Sequence, residues 1–169
     1  MLPQLYFFVS IAFALVAWGI VAKQYVWPKL RLLPRDEALR PLLILHSFRF
    51  EGLAFLIPGV VSPDLPPAFA HSAGIGDIIA ATLALVSLAL LSRATRAGIV
   101  VAWIFNLWGS ADLLNAFYQA NAAGLMPGQL GVTYFIPTVF VPLLLITHGL
   151  AFRILLRETA AKTRRPPSN

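Results

Sequence analysis

The sequence predicts an all-α protein, a polytopic integral membrane bundle of five transmembrane helices with its N-terminus outside and its C-terminus cytoplasmic. Of its 169 residues, 59% are hydrophobic and 12% are charged, whereas soluble domains carry roughly 25% charged residues. The apolar residues form separate long runs, and nearly all the lysines and arginines lie between alternate runs. One soluble core could not cover this much apolar surface, so most of it must face lipid or other helices.

The five apolar runs lie at about residues 5–22, 41–61, 73–91, 97–118 and 131–152. Each is close to the roughly 20 residues that a helix needs to cross the hydrocarbon core of a bilayer. We expect residues 1–157 to form a single transmembrane domain and residues 158–169 to form a basic, disordered cytoplasmic tail.

The first and last predicted helices carry signals of their own. Lys23 and Lys29 follow the first run and no basic residue precedes it, which is the reverse of a signal peptide, so we expect this helix to be retained. Pro137 and Pro142 remove backbone hydrogen bonds inside the last run. We therefore expect that helix to be kinked.

The basic residues predict the orientation. All of the lysines and arginines except Arg49 lie in the first loop, the third loop or the C-terminal segment, namely Lys23, Lys29, Arg31, Arg35, Arg40, Arg93, Arg96, Arg153, Arg157, Lys162, Arg164 and Arg165. Cytoplasmic loops are enriched in such residues. Topology and contact with anionic lipid headgroups thus explain the net charge of +6. We expect the cytoplasmic membrane of a prokaryote as the location, the lipid bilayer as a partner and no nucleic acid.

The second predicted helix contains three ionisable residues, His46, Arg49 and Glu51. A charged side chain near the bilayer centre costs between ~3 and ~10 kcal/mol, so these residues need partners or a function. Glu51 is two residues from Arg49 and points away from it on a helix. We therefore expect the partner of Arg49 on another helix, with Asp77, Asp112 or the amide of Asn106 as the choices.

Counting residues along the helices places the polar side chains in three layers. His46 and His148 come out ~8 Å inside the cytoplasmic face, Arg49 and Asn106 near the middle, and the two aspartates nearer the outer face. The candidate site residues, for a substrate, an ion or a proton relay, are His46, Arg49, Glu51, Asp77, Asn106, Asp112, Asn115 and His148. No metal ligand set and no catalytic residue is assigned.

The leading functional hypothesis is a small integral membrane protein whose intramembrane polar site binds or translocates a small molecule, an ion or a proton. Arg49 would balance an acid or hold an anionic group of the substrate, and Glu51 and Asp112 would be carboxylates that bind a proton or a cation. The prolines of the last helix would supply free carbonyl groups or a hinge.

One alternative is a membrane-embedded enzyme that acts on a lipid or an isoprenoid. His46 and Glu51 would act as acid and base in a pocket lined by aromatic residues, namely Phe48, Phe50, Trp103 and Trp108. The zinc helix, the nucleophile elbow and the aspartate-rich diphosphate motif are all missing from the sequence. This hypothesis therefore rests on residue types alone.

Two further hypotheses concern cofactors and partners. His46 and His148 lie at equal predicted depth and could ligate a non-covalently bound haem b from opposite sides. The chain lacks cysteine, which excludes disulfides, iron–sulfur ligation and covalent haem attachment. The protein could also be an accessory subunit of a membrane complex or a homo-oligomer, with its polar groups paired to another chain.

Overall fold

The computed structural model describes residues 2–93 and 96–157. Within these residues the fold is all-helical and contains no β-strand, apart from an isolated bridge between Pro58 and Val61. This agrees with the predicted fold class at the level of an all-α helix bundle. The predicted tail at residues 158–169 lies outside the described residues.

Five helical elements, numbered here α1 to α5, form the bundle. Helix α1 is Leu2–Leu30, α2 is Arg35–His46, α3 is Pro67–Leu91, α4 is Arg96–Ala122 and α5 is Ile136–Leu155. A 3₁₀ helix, Ser47–Leu56, continues directly from α2, and a second one, Pro127–Tyr134, precedes α5. By length and composition, α1, α3, α4 and α5 are all able to cross a membrane.

The segment predicted as one helix over about residues 41–61 differs from that expectation. It starts earlier, at Arg35, where Asp36 and Glu37 in the first turn complement the helix dipole. After His46 it tightens into the 3₁₀ helix, and it ends at Leu56 rather than at residue 61. A 3₁₀ helix has three residues per turn, so the period of the side chains changes at this point.

Other boundaries also differ from the sequence expectation. Helix α1 runs on to Leu30 through a five-residue π-helical turn, Ala22–Val26. Helix α3 begins at Pro67 rather than near residue 73, because proline is compatible with the first turn of a helix. In α5 a π-helical turn, Ile136–Phe140, contains Pro137 and ends two residues before Pro142, as expected where backbone hydrogen bonds are lost.

The polar candidate residues lie between two apolar clusters. One cluster, at the end where the basic residues gather, contains Leu39, Leu43, Phe105 and Ile154. The other contains Phe55, Phe69 and Leu130 and their neighbours at the opposite end. Asp77 on α3 and Asn106 on α4 fall between members of the two clusters, whereas Ser87 lies among members of the first cluster and donates to the carbonyl of Gly98. The bundle therefore holds most of the polar candidate residues in one layer between the two apolar clusters.

Candidate functional site

Arg49 is the centre of the polar layer and is only 1% exposed. Its Nε donates to Oδ1 of Asp77 at 2.6 Å, and its Nη2 donates to Oδ2 of Asp112 at 2.6 Å. Nη2 also lies 2.6 Å from Oδ1 of Asp77. One guanidinium group thus joins α3 and α4 through two ion pairs, a buried one to Asp77 and a part-buried one to Asp112. These partners are two of the three choices that the sequence offered.

The other terminal nitrogen of Arg49 faces neutral acceptors. Nη1 donates to the backbone carbonyl of Gly109 at 3.2 Å and lies 3.5 Å from Nε2 of His148. All three nitrogens of the guanidinium group therefore have acceptors within the protein. Charge-assisted hydrogen bonds of this kind fix the orientation of the side chain.

His148 links Arg49 to Asn106. Its Nδ1 lies 2.7 Å from Oδ1 of Asn106, and the amide nitrogen of Asn106 lies 3.4 Å from the carbonyl oxygen of His148. An amide oxygen only accepts, so Nδ1 carries the proton and donates, and Nε2 turns its lone pair to the guanidinium group. This network requires a neutral imidazole at His148.

His46 lies against His148 but has its own partner. Its Nε2 lies 3.0 Å from the hydroxyl oxygen of Thr147, and that hydroxyl donates to the carbonyl of Leu143 or Leu144. His46 is fully buried, and its Nδ1 has no hydrogen-bond partner among the described residues. Phe105 covers both imidazole rings, at centroid distances of 5.0 Å and 5.2 Å.

The pair of histidines does not fit a haem iron. The two ring centroids are 4.1 Å apart. When two imidazoles ligate one iron from opposite sides, each ring centre lies beyond its ligating nitrogen, so the centres cannot come this close. Three of the four ring nitrogens are also engaged, with Thr147, Asn106 and Arg49. The expectation of axial haem ligation by His46 and His148 is therefore wrong.

The 3₁₀ helix explains how Arg49 reaches the centre of the bundle. His46, Arg49, Gly52 and Phe55 are all buried and are spaced by three residues. Three residues per turn place such a series along one side of a 3₁₀ helix. Arg49 thus lies directly in line with the histidine layer on one side and the apolar cluster of Phe55 on the other.

Three glycines make room for the charged groups, and sequence reasoning did not assign them to the site. A Cβ atom at Gly52 would collide with the carboxylate of Asp77, and one at Gly76 would collide with the carboxylate of Asp112. At Gly109, a Cβ would come within 2.8 Å of Nη1 of Arg49. A signal was present in the sequence, since glycine within a membrane helix often marks a close approach.

Two candidate residues stay outside this network. Asn115 is exposed, and its amide lies 3.3 Å from the hydroxyl of Ser72. Glu51 is half-buried, and no hydrogen bond or ion pair joins it to another residue within the described ranges. The hydrogen bonds therefore join Arg49, Asp77 and Asp112 with the histidine layer but include neither of these two side chains, although Glu51 is close enough to Asp77 and Arg49 to interact with them electrostatically.

A cavity of about 450 Å³ reaches the two aspartates from the end of the bundle opposite the basic residues. Asp77 and Asp112 line its inner part, and Gln4 and Asn121 lie at its outer part, near the ends of α1 and α4. Its walls are apolar, with five phenylalanines, namely Phe7, Phe8, Phe55, Phe69 and Phe117. Arg49 does not line the cavity.

A second, more open groove lies between α3 and α4. Its lining includes Ser72, Gly76, Trp108, Asp112 and Asn115. Asp112 therefore borders both hollows, whereas Asp77 lines only the cavity; the side chains of Asp77 and Asp112 are about equally exposed, at 10% and 9%.

Comparison with known protein families finds a match over most of the chain. A family described as Domain of unknown function (DUF8737) matches residues 6–156. The chain belongs to this family. The match spans the whole polar layer, from His46 to His148. No curated protein and no solved structure matches the chain.

The charges of the polar layer do not balance. Two carboxylates, Asp77 and Asp112, face one guanidinium, Arg49, so the ionised cluster carries one net negative charge. His148 is neutral in its network and supplies no compensation. An uncompensated charge is strongly disfavoured in an apolar layer. A proton or a cation at the cluster would remove this imbalance.

The aromatic pocket of the enzyme hypothesis is not assembled around His46. Phe48 and Phe50 are 57% and 52% exposed on the outside of the bundle. Trp103 packs beside Phe152, and the ring nearest to His46 apart from His148 is Phe105. His46 lines neither of the two hollows described above. A lipid substrate would not reach its imidazole in this structure.

The geometry of the described side chains does not suggest a metal-binding site. Among residues 2–93 and 96–157, no group of three or more His, Cys, Asp or Glu side chains is arranged to hold a metal ion. The carboxylates of Asp77 and Asp112 instead use oxygens to accept from Arg49.

Proposed function

We propose that this protein is an integral membrane protein that binds or translocates a small molecule, an ion or a proton at Arg49, Asp77 and Asp112. One observation carries the proposal: two carboxylates that clamp a buried guanidinium also line a cavity that reaches the end of the bundle. A purely structural buried ion cluster gains little over apolar packing, so ion pairs kept beside a cavity point to a function.

The net charge of the cluster favours a proton or a cation over an anion. Asp112 borders the cavity, whereas the nitrogens of Arg49 all have acceptors within the protein. An anionic group in the cavity would face the carboxylates of the two aspartates, and no nitrogen of Arg49 would be free to donate a hydrogen bond to it. From the sequence, one role considered for Arg49 was to hold an anionic group of the substrate. We do not propose this role. Arg49 instead holds the two aspartates in position.

The proposal includes five membrane crossings, with the N-terminus outside and the C-terminus in the cytoplasm of a prokaryote. The segment from Arg35 to Leu56 supports the fifth crossing, because 12 α-helical and 10 3₁₀ residues rise roughly 18 Å and 20 Å. The sum exceeds the ~30 Å thickness of the hydrocarbon core.

Contacts at the basic end support the same topology. The guanidinium of Arg153 lies 4.0 Å from the ring centre of Trp27, and that of Arg157 lies 5.0 Å from it. Arg40 donates to the carbonyl of Leu91 at 3.1 Å. The ends of α1, α3 and α5 and the start of α2 thus meet at one face, which the positive-inside rule assigns to the cytoplasm.

Translocation would require a second access route. The apolar cluster with Leu43, Phe105 and Ile154 separates the polar layer from the basic end, so the cavity reaches one face only. The π-helical turn Ile136–Phe140 and the 3₁₀ helix beside the site are irregular elements of the kind that absorb such rearrangements.

Charge displacement in proteoliposomes on a solid support tests this function. A jump in pH or in cation concentration should produce a current in the wild type, transient for binding alone and sustained for translocation. Asp112→Asn should reduce the current to that of protein-free liposomes. Glu37→Gln, the same change on an exposed side chain of α2, should leave it unchanged.

Wild-type currents equal to those of protein-free liposomes would contradict the proposal. Full currents in a folded Asp112→Asn protein would contradict the assignment of the site to this carboxylate.

A further inference from the structure

The walls and the inner end of the cavity differ in chemistry, and this difference narrows the class of ligand. The walls consist mainly of phenylalanine, leucine, alanine and proline side chains. The inner end presents the carboxylates of Asp77 and Asp112, which in their ionised form only accept hydrogen bonds. A ligand that fits must therefore bring an apolar body together with a donor group.

Arg49 does not supply donors to the cavity. Its Nε and Nη2 bind the two aspartates, its Nη1 faces Gly109 and His148, and its side chain is only 1% exposed. While both aspartates are ionised, a carboxylate, a phosphate or a quinone carbonyl would find no donor at the inner end. Anionic and purely accepting ligands are thus disfavoured.

The size of the cavity argues against a bare ion as its occupant. A volume of about 450 Å³ is in the range of pockets that hold organic molecules. Apolar walls also disfavour a hydrated inorganic cation, which needs polar groups or water on all sides. Phenylalanine rings, in contrast, attract organic ammonium groups through their negative faces.

We infer that the cavity takes a protonated organic amine, with its ammonium group against Asp112 and Asp77 and its apolar body among the phenylalanines. The ammonium group supplies both the hydrogen-bond donors that the carboxylates lack and the positive charge that balances the cluster. This inference rests on the proposed function, and it names the ligand class of the same site.

Equilibrium binding to the purified full-length protein, measured by isothermal titration calorimetry, tests the inference. The probes are phenethylamine and 1-adamantylamine, both protonated at neutral pH as the lysine side chain is. Matched controls of similar shape are 2-phenylethanol, which is neutral, and 3-phenylpropionate, which is anionic. We expect at least one amine to bind at least tenfold more tightly than both 2-phenylethanol and 3-phenylpropionate.

Amine binding to substituted proteins tests whether the amine occupies this cavity. Asp112→Asn should weaken amine binding at least tenfold, and Glu37→Gln should leave it unchanged. Ala116→Trp keeps both aspartates but places an indole in the cavity, which Ala116 lines one turn from Asp112. It should abolish amine binding, so the inference stays testable if Asp112→Asn fails to fold.

Two outcomes would overturn the inference. Binding of 2-phenylethanol as tight as that of phenethylamine would show an apolar occupant, such as a lipid chain, rather than an amine. Failure of both amines to bind a folded protein that still gives charge displacement would reject the amine and leave the proposed function in place. Failure of both measurements would reject the proposed function as well.

Discussion

At the scale of single residues, Arg49 determines how the polar layer is built. It holds Asp77 and Asp112 with three contacts of 2.6 Å from Nε and Nη2. Removing one partner of a buried ion pair costs about 3–5 kcal/mol, mainly because the other charge is left without compensation. The guanidinium is therefore expected to contribute to folding as well as to the site.

Arg49→Gln should lower the stability of the purified protein by about 3–5 kcal/mol, because two buried carboxylates lose their counter-charge. Thermal unfolding in detergent, followed by circular dichroism, measures the loss. Arg31→Gln, on an exposed arginine, is the control and should have little effect.

The triple variant Arg49→Gln, Asp77→Asn, Asp112→Asn should recover much of that stability, since amides leave no buried charge and can still form hydrogen bonds. A single Arg49→Gln variant as stable as the wild type would contradict the structural role of the ion pairs.

The sequence narrowed the partners of Arg49 to Asp77, Asp112 and the Asn106 amide without choosing among them, because few polar groups lie at membrane depth and Glu51 points elsewhere on any helix. The roles of Gly52, Gly76 and Gly109 could not be predicted. Their role depends on which side chain the neighbouring helix brings against them, and that is a tertiary property. The failed haem hypothesis has the same cause, since equal depth does not determine the distance between two rings.

At the scale of elements, the junction of α2 with its 3₁₀ helix positions the site. The buried residues of this series, His46, Arg49, Gly52 and Phe55, are spaced by three residues. In an α-helix three residues turn by about 300°, so each residue would be rotated by about 60° from the one before it. In a 3₁₀ helix three residues complete one turn, and the residues stay on the same side. Helix propensity and hydropathy do not distinguish these two geometries. The predicted helix over about 41–61 was therefore wrong in its boundaries and in its regularity.

Close packing of α3 against α4 is expected to depend on Gly76. Gly76→Ala should displace the Asp112 carboxylate, because the new methyl group would occupy its position. We expect lower thermal stability and at least a tenfold loss of amine binding in titration calorimetry.

Gly149→Ala is the matched control for that change, since it lies inside α5 with no neighbour within 4 Å of the added Cβ. It should preserve binding and raise stability by up to about 1 kcal/mol, because alanine favours the helix. Equal effects of the two substitutions would contradict the close contact between Gly76 and Asp112.

At the scale of the whole molecule, composition and the positions of the basic residues predicted the helix bundle. Within residues 2–93 and 96–157, four helices are long and apolar enough to span a membrane. The crossing by residues 35–56 stays a prediction, because its α-helical part has only 12 residues and it carries His46, Arg49 and Glu51. Length and hydropathy alone do not identify a span that is partly 3₁₀ and partly polar.

Labelling of single cysteines tests this crossing, and the absence of native cysteine leaves no background. Leu32→Cys, at an exposed position before α2, and Asp64→Cys, at an exposed position before α3, flank the segment. In intact cells an impermeant maleimide should label Asp64→Cys, and it should label Leu32→Cys only after permeabilisation. Labelling of both from the same side would contradict the fifth crossing.

The charge displaced after a pH or cation jump tests the central claim most directly, namely that a carboxylate lining the cavity takes up a proton or a cation. The account predicts a current in wild-type and Glu37→Gln proteoliposomes and none above background in Asp112→Asn. Currents of equal size in folded wild-type and Asp112→Asn protein would contradict it.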